Sequence, residues 1–265
     1  CFHLYFNGVG GARIHAKYVR PTGDGPFPAL LEFHGYSWRS GDWSGYLGYA
    51  GAGFCVAALD CRGQGGLSED PGGVKGNTLR GHIIRGLGDS PEKLYYRHVF
   101  LDTVQLGRVV RSLEEVDAAR TGALGGSQGG ALTVACAGLD PDLKAAAPVF
   151  PFLSDYLRVW DMDLAQRAYE EIRLFLRWYD PTHERHDEIF HTLGYIDVQH
   201  LAPRIRAKIL MAVSQMDEVC PPSTQFAVYN KIESAKEMVL YPDFGHENLP
   251  EFGDRQFQFF LRELG

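Results

Sequence analysis

The 265-residue chain predicts a doubly wound α/β fold built on a mostly parallel sheet. Three observations carry that expectation. Short apolar segments recur at 29–33, 53–59, 143–149 and 208–213, and nearly continuous apolar runs are the mark of strands buried on both faces. Helical stripes lie between several of these runs, and parallel neighbours need such crossovers. The runs also end in residues that can do chemistry rather than in hairpin turns.

In chain order, residues 2–20 read as two strands joined at Asn7-Gly8, with Gly10-Gly11 loosening the join. The segment 13–19 alternates as a half-buried antiparallel strand does. A turn over 21–28 leads to the strand 29–33, which ends in His34-Gly35-Tyr36, and the strand 53–59 ends in Asp60. A helix is predicted over 98–114, where Val99, Thr103, Leu106, Val110 and Leu113 share one stripe. A strand ending at Ala123-Leu124, strands 143–149, 208–213 and 237–241, and a helix around 256–264 complete one unit over 1–265. Two stretches break the alternation. The segment 63–92 is rich in Gly, Pro and Asp, and excursions of that length are usually functional or an interface. The segment 152–200 carries amphipathic helical patterns, 164–178 among them, and is expected as a lid beyond the strand ends.

Composition narrows the function. There are 26 basic and 33 acidic residues, a net charge of −7, and no Lys/Arg run, so neither nucleic acid nor an anionic membrane is expected as a partner. No apolar stretch approaches the roughly 18 residues of a membrane span. The five cysteines are odd in number and lack metal-ligand spacing. Cys55, Cys61 and Cys136 sit in apolar contexts that suit buried thiols, which points to a cytoplasmic location. The sequence starts at Cys1 and enters a strand at once, so a further natural N-terminal segment is expected.

The chain is organised around Gly125-Gly126-Ser127-Gln128-Gly129. A G-x-S-x-G pentapeptide between an apolar strand and a run of small residues is the setting in which a serine becomes a nucleophile. A serine needs a base, and the base needs an orienting carboxylate. Asp217 follows the strand 208–213, where catalytic groups gather in open α/β sheets; Glu218 is the rival acid. Of the ten histidines, His246 directly follows a late strand and precedes the last helix. The candidate oxyanion donors are the backbone N–H groups of Gln128, next to the nucleophile, and Tyr36, in the loop after the strand 29–33. His34 is read as a brace for that loop.

The motifs Phe33-His34-Gly35-Tyr36, Asp60-Cys61-Arg62-Gly63-Gln64-Gly65, Gly125-Gly126-Ser127-Gln128-Gly129 and Phe244-Gly245-His246-Glu247 resemble those of the acetyl xylan esterase/cephalosporin C deacetylase family, carbohydrate esterase family seven of the α/β-hydrolase superfamily. The stretches 68–72, 95–97 and 220–224 resemble it too. The resemblance implies an α/β-hydrolase fold and a serine deacetylase of small acetylated sugars and cephalosporin C, without a cofactor. It implies Ser127, Asp217 and His246 as the triad, Tyr36 and Gln128 as oxyanion donors, and homo-oligomers, commonly hexamers, with sites facing an internal cavity. Arg62 belongs to the motif and is read as a structural ion-pair partner; Gln64 belongs to it without an assigned role. Other readings on the same fold are a peptidase, a dienelactone-hydrolase-like enzyme and a silent binding module, the last disfavoured because no triad member is missing. A metal site at His183, His186 and His191 is rejected on spacing, and the glycines and lysine of 71–78 lack phosphate-loop spacing.

Overall fold

The computed structural model describes residues 1–72 and 79–265. Residues 73–78, which include most of the stretch rejected as a phosphate loop and the middle of the 63–92 excursion, lie outside the described residues. Eight strands form one sheet: β1 (Phe2–Asn7), β2 (Arg13–Val19), β3 (Phe27–Phe33), β4 (Cys55–Leu59), β5 (Val116–Gly126), β6 (Ala145–Val149), β7 (Lys208–Ser214) and β8 (Lys236–Tyr241). Their order is β1-β2-β4-β3-β5-β6-β7-β8. β1 pairs antiparallel with β2, and β2 antiparallel with β4, while every later neighbour is parallel. This is the expected α/β-hydrolase architecture.

Helices α1 (Leu47–Gly51), α2 (Tyr95–Arg111), α3 (Gln128–Leu139), α4 (Tyr156–Asp161), α5 (Glu170–Tyr179), α6 (His186–Leu193), α7 (Pro222–Lys231) and α8 (Phe252–Leu264) complete the order. Alternate side chains of a strand serve opposite faces. On β3, Leu30 packs with Phe259 and Phe260 of α8, whereas Leu31 and Phe33 join Val99, Leu106 and Val110 of α2 and the buried small residues of α3. From β3 the chain crosses to β4 on one side and later returns to β5 on the other. That reversal opens a crevice between the carboxyl ends of β3 and β5, the usual place for a site in this architecture.

Several boundaries differ from the sequence reading. Helix α2 runs 95–111 rather than 98–114, ending with Ser112 as its cap. The connection between β1 and β2 is a short 3-10 turn over Val9–Gly11 rather than a tight Asn7-Gly8 turn, with Gly10 and Gly11 at φ 68° and 79°. The helix expected over 164–178 starts only at Glu170, because Asp163 and Arg167 sit at φ 55° and 52°, outside the helical region. The short α1, and α7 beginning at Pro222, were not expected. No described helix is long and apolar enough to cross a membrane.

Candidate active site

Four strand ends converge on the crevice. β5 ends at Gly126, and Ser127 turns the chain into α3 at φ 57°, ψ −118°. That conformation is costly for a side-chain-bearing residue, about 1–3 kcal/mol, and persists only where surroundings over-determine it. Here Ser127 N–H donates to the Val149 carbonyl (3.1 Å), and its own carbonyl accepts from Ala131 (3.0 Å) and Phe152 (3.1 Å). The flanking glycines are not equivalent. A Cβ on Gly129 would stand 1.9 Å from the Phe33 carbonyl oxygen and one on Gly125 2.6 Å from it, whereas one on Gly126 meets nothing closer than 3.7 Å. The pentapeptide is therefore glycine-bound at two of its three glycines by the close approach of α3 to β3.

β7 and β8 bring the acid and the base together. Asp217 is 3% exposed. Its Oδ1 accepts from the N–H groups of Val219 and Cys220, both at 2.8 Å, and its Oδ2 lies 2.9 Å from His246 Nδ1. A carboxylate facing Nδ1 fixes the proton there and leaves Nε2 as an acceptor. The His246 ring rests on Phe150, with centroids 4.6 Å apart. Glu218, the rival acid, points outward and pairs with Arg167 at 2.8 Å on the surface.

The loop after β3 is held by amides. Cys61 N–H donates to His34 Nε2 (3.0 Å), so His34 Nδ1 carries the proton and donates to the Gly35 carbonyl (2.8 Å). Burial lowers the His34 pKa against the opposing pull of that carbonyl, so the ring is a neutral brace. Gln64 and Gln128, both 0% exposed, bond to each other through their side chains. Gln64 Oε1 takes the Ser37 N–H at 2.9 Å, and Gln128 Nε2 donates to the carbonyls of His34 and Gly35, each at 3.3 Å. The hydroxyls of Tyr95 and Tyr96 complete the network. It fixes the Tyr36 backbone relative to the Gln128 backbone, whose N–H lies in the first turn of α3, where amides have no intrahelical acceptor. Arg62 stands apart from this: its Nε and Nη2 grip Asp102 at 2.7 and 2.8 Å in a buried pair, and Nη2 also reaches the Val9 carbonyl.

Sequence reasoning missed three groups. Cys220 Sγ lies within 4.8 Å of the nearest ligating atoms of Asp217 and His246, the one such trio of potential metal ligands among the described residues. Burial first, then the Asp217 charge, pushes its thiol well above the ordinary range, with contact to the Ser127 side chain opposing them; its place three residues after the acid was a usable signal. Gln64, Tyr95 and Tyr96 lie in stretches that resemble the family but announced no network, and the carboxylate of Glu171 had no signal. His183, His186 and His191, rejected above as a metal site, are parted in the structure: the first two pack on Trp160, and His191 packs on Tyr195.

The chain is similar to known proteins along its length. The family model described as acetyl xylan esterase matches residues 1–264. An acetyl xylan esterase from Thermoanaerobacterium superposes on 100% of this chain and 84% of its own, with 56% identity and a TM-score of 0.97. One from Paenibacillus covers 99% of this chain and 83% of its own, with 40% identity and a TM-score of 0.93. An acetyl esterase of Xylanibacter ruminicola is 30% identical over 184 residues, 69% of this chain but 40% of that protein, so the match spans less than half of the relative's length. An acylaminoacyl peptidase of Pyrococcus horikoshii, at 16% identity and a TM-score of 0.70, shares the fold alone. The chain belongs to the acetyl xylan esterase family, a family of carboxylic ester hydrolases.

Proposed function

We propose that the chain is a serine esterase that removes acetyl groups from small acetylated sugars such as xylo-oligosaccharides, and from cephalosporin C. The observation that carries this reading is the contact between His246 Nδ1 and the buried Asp217 carboxylate, next to Cys220, whose thiol also contacts the side chain of Ser127, held at φ 57°. Ser127 Oγ attacks the acetyl carbonyl carbon while its proton passes to His246 Nε2, and Asp217 holds the imidazolium through Nδ1–H. The oxyanion faces the N–H groups of Gln128 and Tyr36, an arrangement in which each donor is worth about 10²–10³ in rate. His246 returns the proton to the leaving sugar hydroxyl. A water then attacks the acetyl-serine, giving its proton to His246, and acetate leaves as Ser127 recovers its hydrogen. No cofactor enters the cycle.

The insertion 152–200 serves as the lid of a single 1–265 unit; it borders the site through Ser154 Oγ, which donates to the Thr224 carbonyl, and through Arg167 on Glu218. The 63–92 excursion and the lid serve as a subunit interface of a homo-oligomer, a hexamer on family resemblance. Supporting this, Leu67, Leu79, Leu174, Trp178 and Tyr179 are 45–75% exposed, and apolar surface of this kind commonly marks association sites. The five free cysteines, four of them buried, suit the cytoplasm.

Initial rates on acetylated xylo-oligosaccharides, cephalosporin C, and nitrophenyl esters of increasing acyl length test the reading. Fastest turnover is expected on acetyl esters. Preference for long acyl chains, or hydrolysis of peptides in place of esters, overturns it. Light scattering tests the assembly, and a monomer contradicts it.

A further inference from the structure

One buried carboxylate plays no part in this cycle. Glu171, in the first turn of α5, is 7% exposed, yet its partner is not a cation. Four donors converge on it instead. Oε1 accepts from the Tyr36 hydroxyl and from Gly81 N–H (3.3 Å), and Oε2 accepts from the N–H groups of Ile83 (2.8 Å) and Ile84 (3.3 Å). The Tyr36 hydroxyl in turn accepts from His82 N–H at 3.3 Å. Three segments distant in sequence thus meet on one side chain: the lid helix, the returning end of the excursion, and the loop that carries Tyr36. The Tyr36 ring is wedged between Phe152 and His82, with centroids 5.6 and 5.4 Å away.

The Tyr36 residue is therefore gripped twice. On the sheet side the Gln64–Gln128 pair holds the backbone on either side of it, at Gly35 and Ser37. On the lid side Glu171 holds its hydroxyl. We propose that Glu171 is a positioning residue for the oxyanion hole: it fixes the Tyr36 N–H against the developing charge and ties that position to the lid. The proposal rests on Tyr36 being an oxyanion donor, as above. It also accounts for the residue type. A carboxylate offers two acceptor oxygens to four donors; an amide offers one, and in either orientation its NH₂ would leave at least one main-chain N–H without an acceptor.

The test uses Glu171→Gln, Tyr36→Phe and the double variant, with kcat and KM on nitrophenyl acetate and the affinity for a boronic acid that forms a tetrahedral adduct. Tyr36→Phe keeps the ring and the backbone N–H, so it stays readable should Glu171→Gln fold poorly. Each single change is expected to lower kcat about tenfold, less than the roughly 10²–10³ for a donor removed outright because the N–H is misaimed and not lost, with KM moving less than about threefold. Boronate affinity is expected to fall in parallel, and the double variant to be no slower than the slower single one, because the two side chains form one contact. Normal kcat in a folded Glu171→Gln, a rise in KM alone, or losses that multiply in the double variant overturns the proposal. Ser127→Ala, run alongside, separates the two readings. If it retains turnover, the site reading fails; if it is inactive while Glu171→Gln is normal, only the positioning role fails.

Discussion

The turn after β5 and the insertion between β6 and β7 border the same crevice, and they are held in different ways. Around Ser127 the constraint is steric: main chain from β3, α3 and the β6 exit closes on glycines, and one added methyl group on Gly129 would meet the Phe33 carbonyl at 1.9 Å. In the insertion the constraint is side-chain packing: Phe152, Tyr156, Tyr169, Ile172 and Leu176 are buried in the main core. Five side-chain-bearing residues there (Leu153, Asp155, Asp163, Arg167 and His183) sit at positive φ, and Glu171 joins the packed helices to Tyr36. A site wall built from backbone packing excludes any side chain where main chain closes on it, as at Gly129 and Gly125. A wall built from packed side chains depends on how those side chains fit, and on the few polar contacts, such as Glu171 on Tyr36, that set it against the sheet.

The neighbours Asp217 and Glu218 divide between the two regimes and offer the largest contrast. Asp217 is locked by the Val219 and Cys220 amides at the end of β7, while Glu218 reaches out to the insertion. Asp217→Asn is expected to lower kcat about 10⁴-fold through the wrong imidazole tautomer. Glu218→Gln is expected to stay within about twofold, since an exposed ion pair is worth at most about 1 kcal/mol. Steady-state kinetics on an acetyl ester decide it, and the reverse ranking would move the acid to Glu218.

A second contrast lies within the pentapeptide. Gly129→Ala is expected to cost about 3 kcal/mol or more, as overpacking against rigid backbone does. Gly126→Ala is expected to cost less than about 1 kcal/mol, because its Cβ would find ordinary contacts. Urea unfolding of both variants checks this, and equal losses would mean that the elbow is not sterically set.

A third effect, conditional on pH, concerns the rigid side alone. Burial of Glu32 on β3 raises its pKa from 4.5 to about 7. The folded state therefore holds that proton more tightly than the unfolded chain, and stability is lost as pH rises from about 4.5 through 7. Glu32→Gln is expected to stabilise the protein by up to about 3 kcal/mol at pH 8, from 1.36 kcal/mol per pH unit, and to add nothing attributable to this ionisation at pH 4. Thermal melts at the two pH values read it, and a pH-independent difference would contradict it.

This division also explains what was legible in the sequence. Buried parallel strands write themselves as apolar runs, so β3 through β7 could be read, and the residues following them named the groups at the site. His34 as a loop brace and Arg62 as an ion-pair partner followed from motif context, and the structure gives both those contacts. The insertion was read as helical, but its break at Asp163 and Arg167 comes from positive φ at residues with no glycine to announce it. Glu171 carried no signal because its partners lie 87 to 135 positions away. The excursion was expected to find its packing partner in a neighbouring subunit. Part of that partner is in the same chain, in Glu171 and in the pairing of Arg85 with Asp70.

The central claim is that Ser127 is acylated with His246 as its base and Asp217 behind it. A nitrophenyl phosphonate inhibitor, followed by intact mass and peptide mapping, tests it most directly. The account predicts one phosphonyl group per chain, on Ser127, forming at least several hundred times more slowly in Asp217→Asn, with the Ser127→Ala protein both unlabelled and inactive. Stoichiometric labelling at another residue, or acetyl ester turnover that survives Ser127→Ala, would contradict it.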